Sequence, residues 1–292
     1  MNKYNFSPGP ATLDNSVLEI VNQNILEYEN EGFSILEISH RSDIFENILE
    51  NTKKNLKDLL NIPSNYKILF LQGGATFHNT FLAHNINLKK STSNLVTGTW
   101  GKKTYEDFVK IRDSKEIFLK SSDISEFIKD PSLAVNQKTD YLHITSNETI
   151  EGIQLRNFDQ IENDLIVDGS SDIGSYKFDW NNVAYIYAGA QKNLGIPGVT
   201  ISIIREDFIE QNENPTYLNL SKLIDKDSLL NTPPTFSIYV LKLVTDWMLN
   251  AGGVEYFEKQ SQDHSTNVYS MLSKYSDYVS LPVEEYLSLI HI

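Results

Sequence analysis

Short, uninterrupted apolar runs alternate with helix-like patterns along this chain, and this alternation most constrains the fold that the chain can adopt. The runs that read as strands are Tyr66 to Leu71, Asn94 to Thr97, Tyr141 to Thr145, Leu165 to Val167, Ala184 to Tyr187 and Val199 to Ile204. Strands without polar alternation are typical of a mostly parallel sheet with helices on both faces. We therefore predict an α/β fold. Ligands of such sheets gather at the carboxyl ends of the strands.

Two of these runs end in residues that suit covalent chemistry. Lys192 follows a strand and the small residues Ala188-Gly189-Ala190, which leave room for a bulky ligand near the backbone. A poorly solvated lysine has a lowered pKa and a free lone pair. Asp168 ends another apolar run, and a buried carboxylate needs a cationic partner. This pair suits pyridoxal phosphate, because the lysine binds the aldehyde and the carboxylate keeps the pyridine nitrogen protonated. The alternatives are a solvated loop lysine and an exposed turn carboxylate.

Three further segments carry groups that suit the same ligand. Gly73-Gly74-Ala75-Thr76 joins a strand to a helix, where backbone N–H groups can approach a phosphate, although a simple tight turn is the better explanation of this segment taken alone. Trp100 follows a strand and either stacks on a flat heteroaromatic ring or packs in the core. Thr149, within Asn147 to Gly152, either donates to a phenolic oxygen of the cofactor or caps a local turn.

Two more segments offer groups for a substrate or for a neighbouring site. His40-Arg41 places a fork-shaped donor beside a second donor, which suits a carboxylate or a phosphate. The alternative is a surface salt bridge with Asp43 or Glu46. The segment from Asn231 to Thr235 contains two prolines, so it is a stiff, extended stretch ahead of a helix that could present its polar residues elsewhere.

Charge and composition narrow the function classes. The net charge of −14 opposes nucleic-acid binding, which needs clustered lysine and arginine. The absence of cysteine excludes disulfides, thiolate zinc sites and cysteine nucleophiles. His78 and His84 are too far apart to clamp a metal on one helical face, so we predict no metal site. No signal-peptide pattern and no apolar run of membrane-spanning length occurs, so the predicted compartment is the cytoplasm, without membrane contact.

Taken in order, five segments resemble the phosphoserine aminotransferases, a family of class V, fold-type I enzymes that use pyridoxal phosphate. The resemblance covers most of the chain, and its segments are Phe6 to Pro10, Glu37 to Ser42, Asn147 to Gly152, Tyr187 to Asn193 and Asn231 to Phe236. It implies a mostly parallel, seven-stranded sheet flanked by helices, with a small C-terminal domain. It also implies reversible transfer of an amino group between glutamate and 3-phosphohydroxypyruvate. This reaction belongs to serine biosynthesis, and in many bacteria the family also serves pyridoxine biosynthesis.

The resemblance assigns a role to each of the central candidate residues. Lys192 is similar to the lysine that forms the Schiff base and shuttles a proton between the substrate and the cofactor. Asp168 is similar to the partner of the pyridine nitrogen, Trp100 to the stacking residue, and Thr149 to the donor to the phenolic oxygen.

The remaining roles concern phosphate binding and assembly. The resemblance implies that the cofactor phosphate contacts Ala75, Thr76 and Gln191. Asn231 and Thr232 would reach the phosphate held by the other subunit, so the implied assembly is a homodimer with shared active sites. Ala75-Thr76 replaces the Gly-Arg of many relatives, a mild change because the contact is largely through backbone N–H groups.

The same resemblance assigns His40 and Arg41 to the substrate anion and divides the chain. We expect an N-terminal segment at 1–15, a large cofactor-binding domain at 16–254, and the start of a small C-terminal domain at 255–292. Relatives continue into that domain with an arginine that binds the substrate carboxylate. We therefore expect this chain to be short at its C-terminal end, with weakened substrate binding.

Two alternatives stay open from the sequence. Another class V aminotransferase, acting on serine, alanine and glyoxylate, would share the lysine and the aspartate but has no use for an anion site at His40-Arg41. The second alternative is a fold-type I scaffold that binds the cofactor or a partner without turnover. Cysteine desulfurase is disfavoured because the chain has no cysteine to accept sulfur.

Overall fold

The computed structural model of the chain describes residues 5, 9–119, 127, 138–156 and 161–279. The part of the N-terminal motif from Phe6 to Pro8 and the ending 280–292 lie outside the described residues. The helices are α1 (Asn15–Leu26), α2 (Asp43–Leu60), α3 (Gly74–Asn85), α4 (Thr99–Phe108), α5 (Leu220–Asp225), α6 (Thr235–Asn250) and α7 (Gly253–Leu272).

One seven-stranded sheet forms the centre of the fold. The strands are β1 (Tyr66–Leu71), β2 (Thr92–Val96), β3 (Lys115–Phe118), β4 (Tyr141–Thr145), β5 (Asn147–Glu148), β6 (Ile153–Gln154), β7 (Asp164–Asp168), β8 (Val183–Gly189) and β9 (Thr200–Arg205). The large sheet has the order β1-β9-β8-β7-β4-β2-β3, while β5 and β6 form a small hairpin. In the large sheet β9 runs antiparallel to both β1 and β8, and the other neighbouring strands pair in parallel, so the predicted mostly parallel sheet is confirmed.

The register of the sheet brings the strand ends to one edge. Thr200, the first residue of β9, lies opposite both Leu71 at the end of β1 and Gly189 at the end of β8. In the parallel part, Asp168 at the end of β7 lies beside Thr145 at the end of β4. The loops that follow β1, β8, β7 and β4 therefore leave the sheet side by side.

Helices cover both faces of the sheet, as its unbroken apolar strands predicted. Every residue of β8 is buried, which requires apolar cover above and below. On one face α2 packs against α6, and the core includes Phe45, Leu56 and Leu241. On the other face Phe81 of α3 and Phe108 of α4 pack against the sheet. Within the described residues, no helix is both long and apolar enough to cross a bilayer.

Capping residues mark the start of α1 and the end of α2. Asp14 caps α1, because its Oδ1 accepts a hydrogen bond of 2.9 Å from the backbone N–H of Ser16. Asn61 ends α2 in the left-handed region with φ 52°. The strand β3 was not predicted; only Ile117 of its residues is buried.

Candidate active site

The carboxyl edge of the sheet brings the predicted lysine and aspartate together. Asp168 ends β7 and lies directly opposite Tyr187 of the neighbouring strand β8. Lys192 follows in the turn after β8. Lys192 also lines a small cavity together with the segment Ala11 to Asp14 and Trp247 of α6. The amine and the carboxylate therefore come from adjacent loops at one edge.

The Lys192 and Asp168 side chains act on each other electrostatically without forming an ion pair. Burial raises the pKa of the Asp168 carboxyl, which is 8% exposed, while hydrogen bonds from Ser170 and the positive charge of Lys192 lower it. Burial lowers the pKa of Lys192, and the charges of Asp168 and Asp172 oppose that shift. None of the ion pairs within 4.0 Å among the described residues joins the two. The buried carboxylate thus lacks the close cation that such a group needs.

The start of α3 offers free backbone donors at the same edge. Gly73 and Gly74 both have positive φ, 90° and 62°, and a Cβ on Gly73 would lie 2.5 Å from the Phe77 Cβ. The N–H of Gly74 donates to Thr200 Oγ1 at 2.9 Å. Among the described residues, no acceptor faces the N–H groups of Ala75 and Thr76. Two unpaired N–H groups at a helix N-terminus suit a phosphate.

Gln191 folds back over the end of β8. A Cβ on Gly189 would lie 2.6 Å from Gln191 Oε1, so any larger residue there would displace this amide from its present position. The carbonyl of Gln191 accepts a 3.0 Å hydrogen bond from the N–H of Ala11, which holds the N-terminal segment against the lysine loop. Gly189 and Leu71 both lie opposite Thr200 in the register of the sheet. The side-chain amide of Gln191 therefore lies at the same edge of the sheet as the start of α3.

Trp100 and Thr149 are joined by a hydrogen bond. Trp100 Nε1 donates to Thr149 Oγ1 at 3.1 Å, and the indole remains 37% exposed. Trp100 is therefore not a core residue, which rules out the packing alternative. Because Thr149 Oγ1 serves as the acceptor here, its own O–H stays available as a donor to another group.

The remaining predicted residues lie on the surface. Arg41 is exposed and His40 is half-buried, in the turn before α2. The alternative of a salt bridge from Arg41 to Asp43 or Glu46 is wrong, since no such pair occurs among the ion pairs of the described residues. Asn231 and Thr232 are also exposed, ahead of α6, so their side chains are free to contact a neighbouring molecule.

A second buried carboxylate, which the sequence did not predict, acts electrostatically on both Asp168 and Lys192. Asp172 is 1% exposed, and its two oxygens accept hydrogen bonds from Ser146 Oγ at 2.6 Å and Gln154 Nε2 at 3.1 Å. Burial raises the pKa of Asp172 to about 6, against those hydrogen bonds and the charge of Arg156. The signal in the sequence was its position four residues after Asp168, in the same strand-end loop.

The raised pKa of Asp172 predicts a pH dependence of stability. Between pH 4 and 6 the folded chain binds the proton of Asp172 while the unfolded chain releases it, so this group lowers the free energy of unfolding as pH rises. We expect Asp172→Asn to remove that decline. The variant should gain up to about 3 kcal/mol relative to the parent between pH 4 and pH 7. Urea unfolding across this pH range measures it.

The exposed Asp263 of α7 provides the control for this measurement. Asp263→Asn should give a profile parallel to that of the parent protein, because it leaves the buried Asp172 carboxyl and its hydrogen bonds unchanged. A constant difference between Asp172→Asn and the parent at every pH would contradict the role given to the buried carboxyl.

The donor set at this edge fits pyridoxal phosphate. The ring nitrogen, when protonated, is the cation that the buried Asp168 lacks, and Lys192 supplies an amine on the adjacent loop. The free N–H groups of Ala75 and Thr76 suit the phosphate. The exposed face of the Trp100 indole suits a flat ring.

Comparisons with known proteins agree with this chemistry. The family model of the class V aminotransferases matches residues 3–291. Phosphoserine aminotransferase of Listeria monocytogenes is 40% identical over 283 residues, which are 96% of this chain and 78% of the relative. The relative of the same name from Bacillus cereus strain ATCC 14579 is 40% identical over 296 residues, 99% of this chain and 82% of its own.

Solved structures show the same likeness. Phosphoserine aminotransferase from Bacillus circulans subsp. alkalophilus matches with a TM-score of 0.90 and 35% identity, covering 98% of this chain and 81% of its own. The structure of pyridoxal-phosphate-bound phosphoserine aminotransferase from Trichomonas vaginalis matches with a TM-score of 0.89 and 27% identity, covering 98% and 82%.

Proposed function

Because the chain belongs to the phosphoserine aminotransferase family of class V aminotransferases, we propose that it transfers an amino group reversibly between glutamate and 3-phosphohydroxypyruvate. It is a pyridoxal-phosphate-dependent transaminase of fold type I. The observation that carries the proposal is the half-buried Lys192 amine on the loop beside the buried Asp168 carboxylate. The products are phosphoserine and 2-oxoglutarate, a step of serine synthesis and, with a related phosphorylated keto acid, of pyridoxine synthesis.

The surroundings of the residues that we place at the cofactor support the role proposed for each. When bound, pyridoxal phosphate supplies a ring that withdraws electrons from the substrate carbon. Lys192 holds the cofactor covalently and carries a proton to and from that carbon, because burial leaves its amine more readily unprotonated. Asp168 holds the proton on the pyridine nitrogen. Trp100 packs against the ring, and the free hydroxyl proton of Thr149 is donated to the phenolic oxygen.

The phosphate of the cofactor is assigned to the edge near β1. The N–H groups of Ala75 and Thr76 and the side-chain amide of Gln191 would bind it. We propose a homodimer in which Asn231 and Thr232 of one subunit reach the phosphate held by the other. Their exposure and the stiff backbone of Pro233 and Pro234 support this placement.

We also propose a domain division and a compartment for this enzyme. The large domain comprises residues 16–254, and a smaller unit begins at residue 255. The turn between α6 and α7 supports this boundary, because it contains two consecutive glycines with positive φ, Gly252 at 116° and Gly253 at 72°. The net charge of −14 favours solubility in an aqueous compartment, and the proposed one is the cytoplasm.

A substrate comparison tests the proposed reaction. We expect phosphoserine to change the visible absorbance of the bound cofactor at least about 100-fold faster than serine or alanine at equal concentration, since hydrogen bonds to a charged group contribute about 1.5–3 kcal/mol each. Arg41→Ala should lower kcat/KM for phosphoserine about 10- to 100-fold. It should leave the slow reaction of serine unchanged.

The exposed Arg156, which lies over the Tyr176 ring at 4.9 Å, gives the matched control. Arg156→Ala should keep the preference for phosphoserine. Equal rates with serine and phosphoserine in the parent protein would instead favour the alternative class V activities. No change in absorbance with any amino acid would favour a scaffold without turnover.

A further inference from the structure

The first turn of α4, which carries Trp100, is held by a carboxylate from the neighbouring hairpin. Glu148 Oε2 accepts the backbone N–H of Trp100 at 2.9 Å, and Glu148 Oε1 accepts the N–H of Gly101 at 2.7 Å. Glu148 is fully buried and 47–48 residues away in sequence. One side chain of the hairpin therefore pairs two of the N–H groups that the helix start leaves open.

The same hairpin makes three more hydrogen bonds to this turn. Glu151 Oε1 accepts both the backbone N–H of Thr99 at 2.9 Å and its hydroxyl at 2.6 Å. Thr149 Oγ1 accepts the indole N–H of Trp100 at 3.1 Å. The backbone and the ring of Trp100 are thus both held by a segment four residues long.

Glycines make the space for these carboxylates. A Cβ on Gly98 would lie 2.5 Å from Glu151 Oε2 and 2.8 Å from the carboxyl carbon of Glu148. A Cβ on Gly101 would lie 2.9 Å from Glu148 Oε1. The backbone conformation of Gly98 is extended, with φ −167°, so the need for glycine there is one of space.

A simple cap would satisfy this helix start with less burial. A serine or aspartate at the position of Gly98 would pair the same N–H groups locally. Burial instead raises the pKa of Glu148 to about 7, although the hydrogen bonds from the N–H groups of Gly101 and Trp100 lower it, so burying this carboxyl disfavours its charged form. What the buried glutamate adds is a rigid connection between the element that carries Thr149 and the element that carries Trp100.

We propose that Glu148 is a positioning residue that locks the Trp100 indole and the Thr149 hydroxyl into one unit facing the cofactor. The proposal rests on the proposed function, which assigns both residues to the cofactor ring. Glu148 itself touches neither cofactor nor substrate in this role. It sets the position of the first turn of α4, and through it the plane of the ring against which the cofactor packs.

The test uses the full chain labelled with ¹⁵N-tryptophan, before and after pyridoxal phosphate is added. Trp100→Phe assigns the Trp100 indole resonance, and Trp180, whose Nε1 donates to Leu60 O at 2.9 Å, is the internal reference. We expect Glu148→Gln to shift the Trp100 indole resonance and speed its proton exchange at least about 10-fold, because an amide nitrogen would then face a backbone N–H. The Trp180 resonance should stay in place.

The same variant is then titrated with pyridoxal phosphate. We expect the Kd to rise at least about 10-fold, since a displaced ring and hydroxyl lose their contacts together. Asp107→Asn, on the same helix but remote from its start, is the matched control and should change neither readout. Gly98→Ala replaces this variant if Glu148→Gln does not fold. It keeps the carboxylate of Glu148 but crowds it, so it should also shift the Trp100 resonance and raise the Kd.

Two results would overturn the proposal. The first is an unchanged Trp100 resonance in a folded Glu148→Gln protein. The second is a displaced indole with an unchanged Kd for the cofactor, which would leave Glu148 a purely structural cap. Failure of the proposed function is separate, because it shows as a parent protein that does not react with phosphoserine, whatever the Trp100 resonance does.

Discussion

Lys192→Ala is expected to abolish transamination and to leave the protein folded. The residue would serve both as the covalent attachment of the cofactor and as the proton carrier, and loss of general acid–base catalysis alone costs about 10²- to 10⁴-fold. We therefore expect a fall in kcat of at least about 10³-fold. Steady-state transamination of phosphoserine measures the rate. The free energy of unfolding should not decrease, because burial already disfavours the charged amine.

Covalent attachment gives a second readout for the same variant. Borohydride reduction of the loaded parent protein should add the cofactor mass to the peptide that contains Lys192, and the variant should show no addition there. Lys177 is the matched control, an exposed lysine in the loop after β7, and Lys177→Ala should retain both rate and labelling. Labelling of a different lysine in the parent protein would contradict the assignment of Lys192.

Much of the sheet could be predicted because its strands are buried on both faces. The bounds of β1 and β4 agree with the predicted runs from Tyr66 to Leu71 and from Tyr141 to Thr145. Burial on both faces selects continuous apolar residues, which local sequence shows directly. The sequence did not predict β3, because only Ile117 in it is buried and a four-residue edge strand with charged residues has little apolar pattern.

The direction of β9 depends on the connection before it, not on the strand. Its residues are as apolar as those of a parallel strand, so composition does not reveal their direction. Only residues 190–199 separate β8 from β9, too few for the crossover of a dozen or more residues that a parallel neighbour requires. The length of this loop was therefore the feature of the sequence that indicated an antiparallel β9. The antiparallel direction brings Thr200 between the ends of β1 and β8.

Within the site, residues at strand ends could be predicted and their supports could not. Lys192 and Asp168 stand out because a polar group directly follows a buried run. Glu148 and Asp172 gain their roles from partners 47 and 26 residues away, Gly101 and Ser146. Such long-range hydrogen bonds leave no periodic pattern in the sequence, and only the folded chain shows them.

Asp168→Asn is expected to separate activity from stability. Removing one partner of a buried ion pair costs about 3–5 kcal/mol, so the loss of the carboxylate that holds the pyridine proton should lower kcat/KM about 10²- to 10⁴-fold. Burial raises the pKa of this carboxyl, which means that its charge destabilises the cofactor-free fold at neutral pH. The cofactor-free variant should therefore unfold with a free energy equal to or above that of the parent.

Asp164, at the opposite end of the same strand, is the control for this separation. Its carboxylate pairs with Arg205 at 2.8 Å, far along β7 from the lysine loop. Asp164→Asn should lower the free energy of unfolding by no more than about 1 kcal/mol, as for other partly exposed pairs, and leave kcat/KM unchanged. Asp168→Asn should thus lower the rate without lowering stability, whereas Asp164→Asn should lower stability slightly without changing the rate. An Asp168→Asn protein that transaminates phosphoserine at the parent rate would contradict the role of this carboxylate in holding the proton of the pyridine nitrogen.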